Sequence, residues 1–104
     1  MDIQVQELHE RLSKGENLLI LDVREQWEYD EANLNGKLIP LGELPHRLAE
    51  IEDWKDKEVI VHCRSGGRSE NAKKFLHSKG FQNVRNLLGG ISKYIEIYGQ
   101  PNLQ

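Results

Sequence analysis

A single cysteine, Cys63, among 104 residues leaves the chain without an internal disulfide or a Cys-x-x-Cys redox pair. A lone thiol of this kind sets the expectation of a reducing, cytoplasmic setting. Long apolar runs are missing too, so nothing in the sequence is expected to span a bilayer. The opening stretch, Met1-Asp2-Ile3-Gln4-Val5-Gln6-Glu7, is polar and acidic, unlike a signal peptide. Basic residues are the minority, 14 Lys and Arg against 17 Asp and Glu, for a formal charge of −3. That balance argues against nucleic acid as a general partner, because phosphate binding needs a basic face. His9, His46, His62 and His77 have no metal-ligand spacing and read as surface or packing residues. Neither a metal nor a cofactor is expected. No repeat, low-complexity tract or linker divides the chain, and its length suits one domain over residues 1–104. What is present, 38% hydrophobic and 30% charged residues, is ordinary for a globular protein.

The apolar pattern alternates between helix-like and strand-like periods. Val5, Leu8 and Leu12 recur at helical spacing, and Gly15 stops that helix. Leu18-Leu19-Ile20-Leu21 runs without alternation into Asp22-Val23, as a strand covered on both faces would. Glu25 to Glu31 reads as a short acidic helix, Leu38-Ile39 as a brief strand ended by Pro40. Leu44, Leu48 and Ile51 mark another helix, with Pro45 placed in its first turn. Val59-Ile60-Val61 is a second buried strand. Ala72, Phe75 and Leu76 give a helical face closed by Gly80, and Val84 to Leu87 reads as a fourth strand. Ile91, Tyr94, Ile95 and Tyr98 place a last helix after Gly89-Gly90. The sum is an α/β fold, a small open, mostly parallel sheet flanked by helices on both faces. Ligand sites in such sheets lie beyond the carboxyl ends of the strands. That rule selects the segments after Val23 and after His62.

The second segment carries the chemistry. His62-Cys63-Arg64-Ser65-Gly66-Gly67-Arg68-Ser69 joins a buried strand to a helix. Paired glycines let successive N–H groups turn toward one centre, and Ser69 is placed to cap the helix that follows. The helix N-terminus adds partial positive charge, with Arg64 and Arg68 beside it. A cysteine at the mouth of such a cradle has its thiolate stabilised, the condition for nucleophilicity. A free cysteine more often fills a core, but here strand end, glycines, arginines and helix start coincide.

Cys63-Arg64-Ser65-Gly66-Gly67-Arg68-Ser69 resembles the active-site loop of the rhodanese family. Leu21-Asp22-Val23-Arg24-Glu25 with Trp27-Glu28-Tyr29, Gly36 with Ile39-Pro40, and Leu88-Gly89-Gly90-Ile91 resemble its other landmarks, in the family's order. The likeness runs from residue 18 to about residue 95. Residues 37–45 further resemble rhodanese domains fused to enzymes that adenylate ubiquitin-like proteins. The chain departs from many members at Ala32-Asn33, where Gly-His is common, and at Ile91, where Trp is common. The resemblance implies a single-domain, thiosulfate-type sulfurtransferase. Cys63 would carry a sulfane sulfur as a persulfide, and the loop Arg64, Ser65, Gly66, Gly67, Arg68 and Ser69 would bind it. Asp22 would orient loop groups. Arg24 would be an adjacent structural or substrate-binding cation. The implied partners are a small anionic donor and an external acceptor: a thiol, cyanide, or a protein such as a ubiquitin-like sulfur carrier.

Two rivals remain. His62-Cys63 and Arg68-Ser69 echo the Cys-x5-Arg loop of cysteine phosphatases, but four residues, not five, lie between Cys63 and Arg68. The smaller ring suits a terminal sulfur better than a tetrahedral oxyanion. A non-catalytic binding module of the same fold is the other rival, and the presence of Cys63 argues against it. Arg64, Arg68, Lys73 and Lys74 would form a basic rim that steers anionic partners. Trp27, Trp54, Tyr94 and Tyr98 are expected to pack, and Glu7, Glu10, Glu25, Glu28 and Glu31 to sit on solvated helix faces.

Overall fold

The computed structural model describes residues 1–101. Its elements are α1 (Val5–Ser13), β1 (Leu19–Asp22), α2 (Gln26–Glu31), β2 (Lys37–Leu38), two 3-10 segments (Leu41–His46 and Leu48–Trp54), β3 (Glu58–His62), α3 (Gly67–Ser78), β4 (Asn83–Asn86) and α4 (Gly90–Tyr98). The strands lie in the order β2-β1-β3-β4, and every neighbouring pair is parallel. The continuous apolar runs follow from this arrangement, because both faces of the sheet are covered.

Side chains alternate between two cores with the strand period of two. Leu21, Val23, Val59, Val61, Cys63 and Val84 face one side, where Ala72 and Leu76 of α3 and Leu44 and Ile51 of the 3-10 segments meet them. Ile20, Ile60 and Leu87 face the other, packed against Val5 and Leu8 of α1 and Ile91 and Tyr94 of α4. Register places Leu21 beside Val61 and Asp22 beside His62. The carboxyl ends of the two central strands are therefore level, and the segments that follow them are neighbours.

Two expectations change. The region of Leu44, Leu48 and Ile51 is not one helix but two 3-10 segments, broken at Arg47 (φ −125°) and kinked at Ile51 (φ −125°). Pro45, which lacks an N–H and disfavours α conformation in the residue before it, lies inside the first. Leu44 and Ile51 still reach the core, so the apolar spacing located the buried residues while misreading the helix type. Trp27 does not pack; it is 57% exposed, because the inward position of the six-residue α2 belongs to Glu28. A short parallel bridge between Ile3 and Leu87 also ties the N-terminal segment beside β4, with Ile3 fully buried.

Candidate active site

Cys63 follows the last residue of β3 and is 2% exposed. The chain then curls through Gly66, whose φ of 117° makes it the left-handed N-cap of α3. That conformation aims the first N–H groups of α3, which have no partner within the helix, back at the sulfur. The Gly66 N–H donates to Cys63 Sγ at 3.1 Å and the Ser69 N–H at 3.4 Å, with the Ser69 hydroxyl also 3.4 Å away. Burial pushes the Cys63 thiol up. The Ser69 hydroxyl and N–H and the N–H groups of Gly66 and Ser65 pull it down further, leaving it below an ordinary thiol. The macrodipole of the twelve-residue α3 works in the same direction.

The outer wall of the loop is held by α4. Ile91 N–H donates to the Cys63 carbonyl at 3.0 Å and Ser92 N–H to the Arg64 carbonyl at 2.9 Å. Gly90, with φ 62°, makes this approach possible. A Cβ there would sit 2.7 Å from the Cys63 oxygen and closer still to the Arg64 carbonyl. The Gly-Gly motif thus serves loop packing.

Arg68 faces Cys63 and is also tied to α2. Its guanidinium makes a two-pronged contact with Glu28 of α2, at 2.7 and 2.8 Å. Glu28 is buried rather than solvated, and its carboxyl also accepts the Glu25 N–H at 2.9 Å. The Arg68 guanidinium, with help from the Glu25 N–H, holds that carboxyl down at about 2 against the opposing effect of burial. Glu28 was missed as a site residue, although its place three residues after Glu25 marks a capping box.

Ser69 is not the helix cap; Gly66 takes that position and Ser69 lies in the first turn. Its hydroxyl meets Asn86 Oδ1 at 2.6 Å. Asn86 ends β4, and its amide donates to the Gly66 carbonyl at 3.2 Å and to Glu70 at 3.3 Å. Applying the strand-end rule to the fourth strand would have found it.

Asp22, which ends β1, is buried with Arg24 and takes its hydrogen bonds from Arg24 rather than from the Cys63–Ser69 loop. It accepts the Arg24 N–H at 3.0 Å and the Arg24 guanidinium at 2.8 Å, and faces His62 Nε2 at 3.6 Å. Arg24 spends its other donors on the Glu28 and Ala32 carbonyls, which secures α2. Burial pushes the His62 ring down, with Asp22 opposing.

Arg64 is exposed, and its side chain makes no ion pair or hydrogen bond among the described residues. It lines a cavity of about 200 Å³ between α2 and α4 with Arg24, Glu28, Ile91 and Ile95. Cys63 is not among the residues that line it. The basic rim is smaller than expected. Lys73 pairs with Asp2 at 2.9 Å and Glu70 at 3.4 Å and is only 18% exposed, leaving Arg64 and Lys74 as the outward cations.

Among the described residues, no group of three or more His, Cys, Asp or Glu is arranged to hold a metal. No helix of the described residues is long and apolar enough to cross a membrane.

A parallel sheet with a cysteine cradle at a strand end defines a class, and comparison places the chain within it. It belongs to the Rhodanese-like domain family, which it matches over residues 4–97. A protein of Allochromatium vinosum named Sulfurtransferase is 36% identical over 91 residues, covering 86% of this chain and 83% of that protein. A rhodanese-related protein of Thermoplasma volcanium superposes with a TM-score of 0.79 at 33% identity, over 93% of this chain and 92% of the other. A Rhodanese-like Domain Protein of Staphylococcus aureus gives 0.82 at 27% identity, over 100% and 97%.

Proposed function

We propose that this protein is a sulfurtransferase in which Cys63 accepts a sulfane sulfur from a thiosulfate-like donor and passes it to an external acceptor. The observation that carries the reading is the convergence of the Gly66, Ser69 and Ser65 donors on one buried sulfur. The Cys63 thiolate attacks the outer sulfur of the donor. A sulfur–sulfur bond forms, the donor's own sulfur–sulfur bond breaks, and its electron pair leaves with sulfite. Ring donors that favour the thiolate favour the terminal perthiolate for the same reason. An acceptor such as cyanide then attacks the terminal sulfur, and thiolate returns to Cys63 with thiocyanate as product. With one cysteine the chain has no resolving thiol, so discharge is intermolecular. The loop, with four residues between Cys63 and Arg68 and its donors drawn in to within about 3.5 Å of Sγ, supports sulfur over a phosphoryl group.

Intact-mass measurement after thiosulfate should show one added sulfur, removed by cyanide with release of thiocyanate. Cys63→Ser should show neither. A variant that still gained the mass and turned over would end the proposal.

A further inference from the structure

Asn86 lies 4% exposed at the end of β4, and the mechanism above makes no use of it. Its amide orientation is fixed by what surrounds it. One side faces two acceptors, the Gly66 carbonyl and the Glu70 carboxylate, so that side must be the NH2 group. The carbonyl Oδ1 therefore points at the Ser69 hydroxyl, 2.6 Å away. A hydroxyl has one proton to give. Three acceptors surround it: Asn86 Oδ1 at 2.6 Å, the Gly66 carbonyl at 3.2 Å and Cys63 Sγ at 3.4 Å. The short contact wins, since hydrogen bonds at 2.6 Å are strong and those at the edge of the range weak. The hydroxyl nearest the nucleophile is thus engaged elsewhere.

We propose that Asn86 is a positioning residue that competes with Cys63 for the Ser69 proton and so sets how basic the sulfur is. The inference rests on Cys63 being the sulfur-carrying nucleophile. While Cys63 is a thiol, the Ser69 proton sits on Asn86 and an oxygen lone pair faces Sγ. When Sγ becomes an anion, the hydroxyl rotates toward it only by leaving Asn86 Oδ1. The backbone donors of Gly66 and Ser69 face no such choice. Asn86 thereby keeps the resting thiolate from being over-stabilised, which would make it a poorer nucleophile, since nucleophilicity falls as basicity falls.

The test is a double-mutant cycle on the pH inflection of Cys63 alkylation, in the native protein, Ser69→Ala, Asn86→Leu and the double variant. With Asn86 present, the hydroxyl's pull on the thiolate is partly offset by the loss of its bond to Asn86 Oδ1, so Ser69→Ala should raise the inflection by clearly less than it does without Asn86. In the Asn86→Leu background the hydroxyl serves the thiolate, so Ser69→Ala should raise the inflection by about one pH unit, the weight of one charge-assisted hydrogen bond. Asn86→Ala provides the same cycle with a smaller side chain if the leucine variant does not fold. An equal or larger effect of Ser69→Ala with Asn86 present would overturn the proposal. Alkylation reads the thiol without any donor, so the same variants incubated with thiosulfate separate the two claims. The expected cycle without any gain of sulfur would support Asn86 and reject sulfur transfer. Sulfur gain without the expected cycle would reject the role of Asn86 alone.

Discussion

Glu28→Gln removes the charge under the loop while keeping its shape, and the structure sets the size of the effect. The Glu28 carboxyl is held at about 2 against an ordinary value of 4.5. At about 1.4 kcal/mol per pH unit that gap sets a ceiling of roughly 3 kcal/mol. The Arg68 side chain is 36% exposed, so solvent screening reduces the figure, and the glutamine oxygen retains one hydrogen bond. The expected loss at pH 7 is about 1–2 kcal/mol, a fall in Tm of roughly 5–10 °C for a domain of this size. The sign with pH follows from a depressed carboxylate. Its stabilisation is fully present above the ordinary value and is lost as pH falls toward about 2. Urea melts from pH 7 to pH 3 should therefore show the native protein and Glu28→Gln converging as pH falls. Glu58 is held similarly low by Arg11, so both proteins weaken in acid, and the difference between them is the informative quantity. A difference that stayed constant with pH, or was absent at pH 7, would refute the account of Glu28 as the charged anchor of Arg68.

Gly90→Ala should lower stability by at least about 2 kcal/mol, because it combines a left-handed backbone with a clash against the loop carbonyls; chemical denaturation would show it, and a neutral result would contradict the packing role of the Gly-Gly motif. The native protein should hydrolyse aryl phosphates negligibly relative to sulfur transfer, and one Gly inserted between Gly66 and Gly67 should shift that balance; efficient phosphatase activity in the native chain would promote the rival reading. Transfer to an acidic protein acceptor should slow with added salt and with Lys74→Glu, while thiocyanate formation changes less; insensitivity to both would remove the steering claim. Lys73→Glu is unsuited to that test, since it would face Asp2 and Glu70 and lower stability instead.

The sheet was legible because a fully covered parallel strand writes itself as an unbroken apolar run, as in Leu18–Leu21 and Val59–Val61. The cradle was legible because its glycines and arginines are contiguous with Cys63. What escaped was whatever joins distant segments. Nothing local to Glu28 says that it meets Arg68, forty residues on. Asn86 reads as one more polar residue at a strand end until β4 is placed beside β3. Lys73 and Lys74 look equivalent in sequence, yet Asp2, brought in by the fold, joins Glu70 in taking Lys73 out of the surface field. The 3-10 segments were misread for a different reason: apolar spacing locates a buried face but constrains the helix type weakly when a proline intervenes.

The pairing of Arg68 with Glu28 changes where the positive potential at Cys63 comes from. The Arg68 guanidinium still faces Cys63, and the buried Glu28 carboxylate offsets part of its charge there. The other donors are the Ser69 hydroxyl, the backbone N–H groups at 3.1 and 3.4 Å and the α3 terminus behind them. These are fixed by the fold, carry no net charge and are shielded from salt by burial, so they act on Cys63 Sγ at close range. Arg64, exposed and unpaired among the described residues, has the opposite character. Its charge reaches into solvent over about one Debye length and can attract an anion, but it places no donor on Sγ. Arg68, which the sequence places beside the cradle with Arg64, faces Cys63 and also locks the loop to α2 through Glu28.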